Sequence, residues 1–290
     1  MVGETAHPTA MTQRLYALTF RLPLILWYGA FFVGPLLFTV AMSFFLVKNY
    51  RMVEAFETVN WARMFSRGFF WDAYWRTLGL AGMAAGLASL LAFPAAWALA
   101  FRATDTQRRW AISLLIIPFF TSYLVRVFSW YVILAEQGVV NAIIGTVGIG
   151  PITMLNTMIG TTVGYLTLVL PLVVILQTLA LSSIDRDLIQ AAGNLGCPPR
   201  RLLWRVILPT AKTGLIIAAL IAFILCFGDF VSPYYLGGSK PPTLPILIID
   251  TTKSGQQWPR AAVVAIVMIV TLLAIAFAAV TAAYAKRGKT

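Results

Sequence analysis

The chain has little of what soluble enzymes use for solubility and for chemistry. Charged residues make up 11% of its 290 residues and hydrophobic residues 60%, whereas a soluble domain is usually about 45–50% apolar. His7 is the single histidine, so neither a Ser–His–Asp hydrolase site nor a histidine-ligated metal site can be assembled. We expect no catalytic residue and no metal site in this chain.

Cysteines and nucleotide-binding motifs are equally scarce. Cys197 and Cys226 are the two cysteines. The first lies in a basic loop and the second in an apolar segment, so we expect no disulfide between them. The phosphate-binding pattern G-x-x-x-x-G-K-[ST] is absent, and we expect no cofactor in this chain. Energy for an active process would have to come from a partner.

Long apolar blocks are what the chain has instead. Six blocks of about 18–25 residues are each long enough to cross a bilayer core of about 30 Å as a helix. Strands of a barrel would show alternation, which these blocks lack. We therefore predict an all-α polytopic membrane protein with six transmembrane helices, the first being a retained span and not a signal peptide. The predicted spans are Pro23–Leu46, Thr77–Phe101, Trp110–Leu134, Met158–Leu181, Gly214–Val231 and Ala261–Tyr284.

The charges behind the net charge of +12 lie mostly in the short loops between these blocks. Segments on the side of the two termini hold 13 Lys and Arg residues, against 8 on the other side. The positive-inside rule then predicts that both termini are cytoplasmic. The domains expected are a cytoplasmic segment at 1–21, a six-span domain at 22–285 and a cytoplasmic tail at 286–290. Because topology accounts for the charge, no nucleic-acid partner is expected.

The outer segment from Phe45 to Arg76 is unusually aromatic. Two interpretations remain open, an amphipathic helix lying in the membrane interface and an aromatic belt at the headgroups. In the following span, Gly82 and Gly86 form a G-x-x-x-G step. That step permits close helix packing, either in the core or at an interface with another chain.

The loop at about 185–210 predicts two short helices. Asp185 is a good N-cap for a helix that runs to Leu195, and Gly196 supplies a left-handed stop. Pro198–Pro199 can open a second helix, which we expect to run from about Arg200 to Leu208–Pro209.

Small and apolar residues make this loop a candidate docking element. Ala191, Ala192 and Gly196 would let another protein approach the backbone closely, while Leu203 and Trp204 would provide apolar contacts. The alternative is an ordinary amphipathic loop at the membrane surface. The residues we assign to docking are Gln190, Ala191, Ala192, Gly196, Arg200, Arg201, Leu203, Trp204 and Pro209.

Two ionisable residues lie in or beside the predicted spans, Arg126 and Asp229. Such residues usually face the bundle interior and mark a pathway. An acid beside aromatic rings is suited to an organic ammonium group. The alternative is that Arg126 pairs with Asp229 or extends to the headgroups. The candidate pathway residues are Asp229, Arg126, Trp130, Tyr131, Tyr234 and Tyr235.

The loop sequence IQAAGNLGCPPRRLLWRVILP at 189–209 resembles the E-A-A-x-x-x-G loop of binding-protein-dependent ABC importer permeases. The spacing matches at each anchor, with Gln190 in place of the usual acid. The segments Ile117–Trp130, Gly164–Asp185 and Phe227–Gly238 also resemble permeases of the spermidine/putrescine type.

The resemblance implies a bacterial inner-membrane permease subunit without enzymatic activity. Its implied partners are a dimer of ABC ATPases that binds ATP and Mg, a second and related permease, an extracytoplasmic solute-binding protein, and membrane lipid. It implies a polyamine as cargo, with opine, phosphonate, thiamine or ferric ion as alternatives; a stand-alone secondary transporter is the other class considered. An ion pair between the loop and the ATPase is in doubt because Gln190 lacks charge.

Overall fold

A computed structural model describes residues 19, 21–148 and 150–285. His7, most of the predicted N-terminal segment and the predicted C-terminal tail lie outside the described residues. The described chain is helical apart from one short antiparallel hairpin. Its elements are α1 Arg21–Met42, β1 Leu46–Lys48, β2 Arg51–Val53, α2 Val59–Phe65, α3 Gly68–Phe101, α4 Asp105–Phe120, α5 Tyr123–Leu134, α6 Val139–Gly145, α7 Met158–Ser182, α8 Arg186–Asn194, α9 Pro199–Gly228, α10 Val231–Tyr235, α11 Leu244–Lys253 and α12 Trp258–Tyr284.

Six candidate membrane spans are present among the described residues, as the apolar blocks predict. They are α1, α3, α5 with α6, α7, α9 and α12. Helix α3 has 34 residues, or roughly 51 Å at 1.5 Å per residue. It begins nine residues before the predicted start at Thr77, and because of its length it extends beyond the bilayer core.

A stripe of alanines on α3 forms the centre of the bundle, where α3 packs against α7 and α9. Ala81, Ala84, Ala88 and Ala92 are all fully buried, because small side chains let helix backbones approach closely. Gly82 and Gly86 lie on the other face, and a Cβ at either position would meet nothing within 4 Å. The core-packing interpretation of the G-x-x-x-G step is therefore wrong, and this face is open in the single chain.

The predicted span Trp110–Leu134 is not one helix. It breaks at Thr121 and Ser122, where both residues leave the helical conformation. The Thr121 amide and hydroxyl both donate to the carbonyl of Pro118, at 3.3 and 2.9 Å. This local bonding competes with the helical pattern and ends α4. Helix α5 then begins at Tyr123.

The second helix of the loop does not end at Leu208–Pro209 as predicted. It continues without interruption into the fifth span, so that α9 runs from Pro199 to Gly228. Proline lacks an N–H and its ring clashes with the carbonyl four residues earlier. The helix accommodates Pro209 through a wider π turn at Leu203–Ile207, and Pro35 likewise follows a π turn at Gly29–Val33.

The aromatic outer segment folds as the hairpin, α2 and the first turns of α3, so the prediction of one interfacial helix is wrong. Several rings are fixed by the fold: Phe70 is fully buried, and the Trp61 Nε1–H donates to the Ser43 hydroxyl at 3.2 Å. Trp75 remains exposed, as an aromatic belt requires.

Helices α3 and α7 run parallel and end together. A second cluster of buried residues joins the end of α3, at Ala96 and Ala100, to Leu181 on α7 and Ile207 on α9. The loop at 185–210 therefore lies at one end of the bundle. The first turns of α3 and α7 lie at the other end.

Candidate functional site

The loop at 185–210 has the helix–turn–helix form that its sequence predicts. The Asp185 carboxylate accepts from the amide of Asp187 at 2.9 Å and caps α8. Gly196 has a φ of +71°, and its amide donates to the Gly193 carbonyl at 2.9 Å. A side chain is strained at that φ, which is why glycine ends this helix.

Three large apolar side chains of this loop are exposed beside its charged residues. We call Leu188, Leu195 and Trp204 the coupling surface; their exposed fractions are 50%, 87% and 70%. No heavy atom lies within 4 Å of a Cβ placed on Gly196, so the backbone is open to a partner. Leu203, which the sequence assigns to docking, is half-buried against the core. Leu188 and Leu195 are exposed instead, and their helical spacing from Ala191 and Ala192 is the signal that could have identified them.

The remaining predicted docking residues also have definite positions. Arg200 and Arg201 are exposed in the first turn of α9, and Ala191 is exposed on α8. The exposed Gln190 side chain makes no hydrogen bond to a described residue and lines a cavity of about 230 Å³. Arg186 lines the same cavity, beside aromatic rings from the end of α3.

Asp229 ends α9 and organises the chain around it. One carboxylate oxygen accepts from the Val231 amide at 2.9 Å, and the other accepts from the Ser232 amide at 3.2 Å. The Tyr123 hydroxyl donates to the second oxygen at 2.6 Å and also contacts the Ser232 hydroxyl. Asp229 is 8% exposed. Its hydrogen bonds therefore form a buried network, which joins Tyr123, next to the break in span three, to α10.

Arg126 does not pair with Asp229. Its Nη1 donates to the Thr167 carbonyl at 3.2 Å, and its guanidinium lies 5.6 Å from the centroid of the Tyr123 ring. The ion pair that the described residues contain is Arg108–Asp105. The Arg126–Asp229 alternative is therefore wrong, since Tyr123 occupies the space between the two groups.

Four of the six predicted pathway residues fall into two groups. Arg126 and Trp130 line one apolar cavity of about 430 Å³ with Thr167, while Asp229 does not border it. Tyr234 and Tyr235 form a second group, with ring centroids 5.0 Å apart. A cation lies beside this second group: the Lys253 Nζ is 5.9 Å from the centroid of the Tyr234 ring.

Tyr131 is exposed on α5 and belongs to neither group. Sequence reasoning missed Tyr123, Ser232 and Lys253. Tyr123 directly follows the Thr121–Ser122 break, and that position in a predicted span is the signal for it. Cys197 and Cys226 are both free.

Comparison with known proteins places these features in a family. Residues 13–289 match the family described as binding-protein-dependent transport system inner membrane component. The chain is similar to the spermidine/putrescine transport system permease protein PotB of Haemophilus influenzae, with 28% identity over 255 residues that cover 87% of this chain and 88% of the relative. It is also similar to the inner membrane ABC transporter permease protein YdcU of Escherichia coli, with 26% identity over 73% of this chain and 72% of the relative.

Solved structures share the fold. A chain from a bacterial alginate ABC transporter, in complex with an alginate pentasaccharide-bound periplasmic protein, has a TM-score of 0.69 at 19% identity and matches over 92% of both chains. A chain from the inward-facing MetNI methionine ABC transporter has a TM-score of 0.56 at 19% identity, covering 75% of this chain and 97% of that one. The chain therefore belongs to the binding-protein-dependent transport system inner membrane component family, and it is a non-enzymatic, multi-pass permease component of an ABC importer in the bacterial inner membrane.

Proposed function

We propose that this chain forms one half of the translocation pathway of a polyamine importer. Its partners in this proposal are a second, related permease, an ABC ATPase dimer and an external solute-binding protein. One observation supports a polyamine as the cargo: relatives that match over most of both chains are spermidine/putrescine permeases. ATP and Mg belong to the ATPase partner, and both termini lie in the cytoplasm with it.

The coupling surface supports docking to the ATPase. Three large apolar side chains on a surface loop, Leu188, Leu195 and Trp204, are more than a solvated loop needs. Trp is favoured as an interface anchor. The left-handed turn at Gly196 fixes the angle between α8 and α9. Because α9 continues into the fifth span, movement of the loop is passed directly to a membrane helix. In this proposal Gln190 offers the ATPase hydrogen-bonding groups without a charge, at the position where the family pattern has an acid.

The aromatic group around α10 supports an organic cation as cargo. The Tyr234 face, 38% exposed, already receives the ammonium group of Lys253. Asp229, which lies just before α10, adds a fixed negative charge that accepts from three donors. Its attraction on a passing cation amounts to a few kcal/mol at most, since the effective dielectric of a wet pathway is high. Weak attraction of this kind allows the cargo to leave the pathway again.

The experiment replaces Gly196 with Trp and measures how a polyamine-loaded binding protein stimulates the ATPase of the reconstituted complex. The added ring would strain the turn and cover the coupling surface, so we expect stimulation to be lost. Gly148→Trp is the matched control, because Gly148 also has a positive φ of 79° and open space around it, outside the loop.

Equal losses in both variants would mean that backbone strain, and not docking, caused the defect. Undiminished stimulation in an assembled Gly196→Trp complex would overturn the coupling role. If the binding protein holds an anion in place of a polyamine, the cargo proposal falls while the coupling proposal stands.

A further inference from the structure

A cavity with two cationic side chains in its lining lies at the end of the bundle opposite the coupling surface. Its volume is about 220 Å³, and it is lined by the start of α7, by α10, by the segment that leads into α11, and by Arg76 and Leu80 on α3. Two cations, Arg76 and Lys240, line it together with Thr157, Thr161 and Thr243, and no carboxylate does. Cavities between membrane helices that collect cations and hydroxyl groups attract anions.

Two polar atoms in this cavity lack partners. Thr243 is 2% exposed, yet its hydroxyl makes no hydrogen bond to a described residue. The Nε of Arg76 is also buried without an acceptor, and Arg76 forms no ion pair with a described residue. Buried donors are almost always satisfied in native proteins, and a single acceptor group held between Arg76 and Thr243 would satisfy both.

Two helices begin at the same cavity. Thr157 is the N-cap of α7, with 25 residues, and Thr243 is the N-cap of α11, with 10 residues. Thr157 accepts from its own helix, and the first amide of α11 donates to the Thr77 hydroxyl at 2.8 Å. The helices therefore contribute their dipoles, which favour negative charge. The Thr243 hydroxyl, with Arg76 and Lys240, contributes donors for direct contact.

We propose that this cavity binds a phosphate group, supplied by inorganic phosphate or by a phospholipid headgroup. Arg76 donates through its guanidinium, Thr243 through its hydroxyl, and Lys240 closes the open side as a mobile charge. An occupied site would tie α3 to the segment that leads into α11. The site is independent of the proposed polyamine cargo, which its two cations would repel.

The test measures phosphorus-31 NMR of the purified importer complex after extensive detergent washing, followed by titration with inorganic phosphate. A phospholipid signal that survives washing would assign the site to a headgroup. Saturable binding of added phosphate to a lipid-free complex would assign it to the free ion. Either result supports an oxyanion site, provided that it depends on the residues named above.

We expect Arg76→Gln to weaken phosphate or lipid retention about ten- to hundredfold, because a charge-assisted hydrogen bond is lost. Thr243→Val, which keeps the shape of the side chain, should weaken it several-fold, and Arg76→Lys should be intermediate. Arg51→Gln, on the exposed hairpin, is the charge-matched control and should change nothing. Wild-type protein that holds neither phosphate nor phospholipid would overturn the proposal, as would equal retention by Arg76→Gln and wild type. Thr243→Val keeps the test decisive if the Arg76 variants do not assemble.

Discussion

Replacing Asp229 with Asn tests whether this carboxylate is mainly structural. The aspartate accepts three hydrogen bonds, from Tyr123 and from the amides of Val231 and Ser232. Asparagine has the same size but only one accepting oxygen. Each carboxylate oxygen faces a backbone N–H, so either orientation of the amide places its NH₂ against one of those donors.

The expected loss in the free energy of unfolding follows from this geometry. At least one hydrogen bond to a charged group is lost and one buried donor is left without an acceptor, which together cost about 2–4 kcal/mol. Tyr123→Phe removes a single donor and should cost about 1–2 kcal/mol. The free energy of unfolding, from titration with SDS in mixed micelles, is the measurement. Uptake of labelled polyamine by the complex that does assemble is measured beside it.

The decisive comparison adds Arg126→Gln to Asp229→Asn. Because Arg126 bonds to the Thr167 carbonyl and not to the carboxylate, the second change should not restore stability. Restored stability in the double variant would show that the two charges are paired and would refute this reasoning. Wild-type stability with reduced uptake in Asp229→Asn would instead assign the carboxylate to the pathway alone.

Two further outcomes follow from packing and from charge. Gly164→Ala should destabilise the protein by about 1–3 kcal/mol, because the new Cβ would lie 2.5 Å from the Ser232 Oγ. The control Gly82→Ala adds a Cβ in open space and should be neutral or slightly stabilising. Equal effects of the two changes on stability would contradict the close contact of α7 with α10. Cysteines placed at Thr106 and Gln256, both exposed, should react with impermeant reagents from opposite sides of the membrane in a cysteine-free background, and labelling from one side would contradict the six-span topology.

Much of the fold follows from local sequence. The number of spans depends on apolar length, since a helix must satisfy its backbone within the bilayer whatever its neighbours are. The helix start at Asp185 and the turn at Gly196 depend on capping and on a positive φ, which involve only adjacent residues. The loop could therefore be located from spacing alone, before its surroundings were known.

Tertiary structure decided which faces and side chains meet. The alanines of α3 face α7, whereas Gly82 and Gly86 do not. Sequence alone did not decide this, because the rotation of a helix about its axis depends on all its neighbours. Tyr123 separates Arg126 from Asp229 because the chain breaks at Thr121 and turns the next helix toward α10. Apolar length is a property of one segment, whereas rotation, breaks and hydrogen-bond partners depend on segments far apart in the chain.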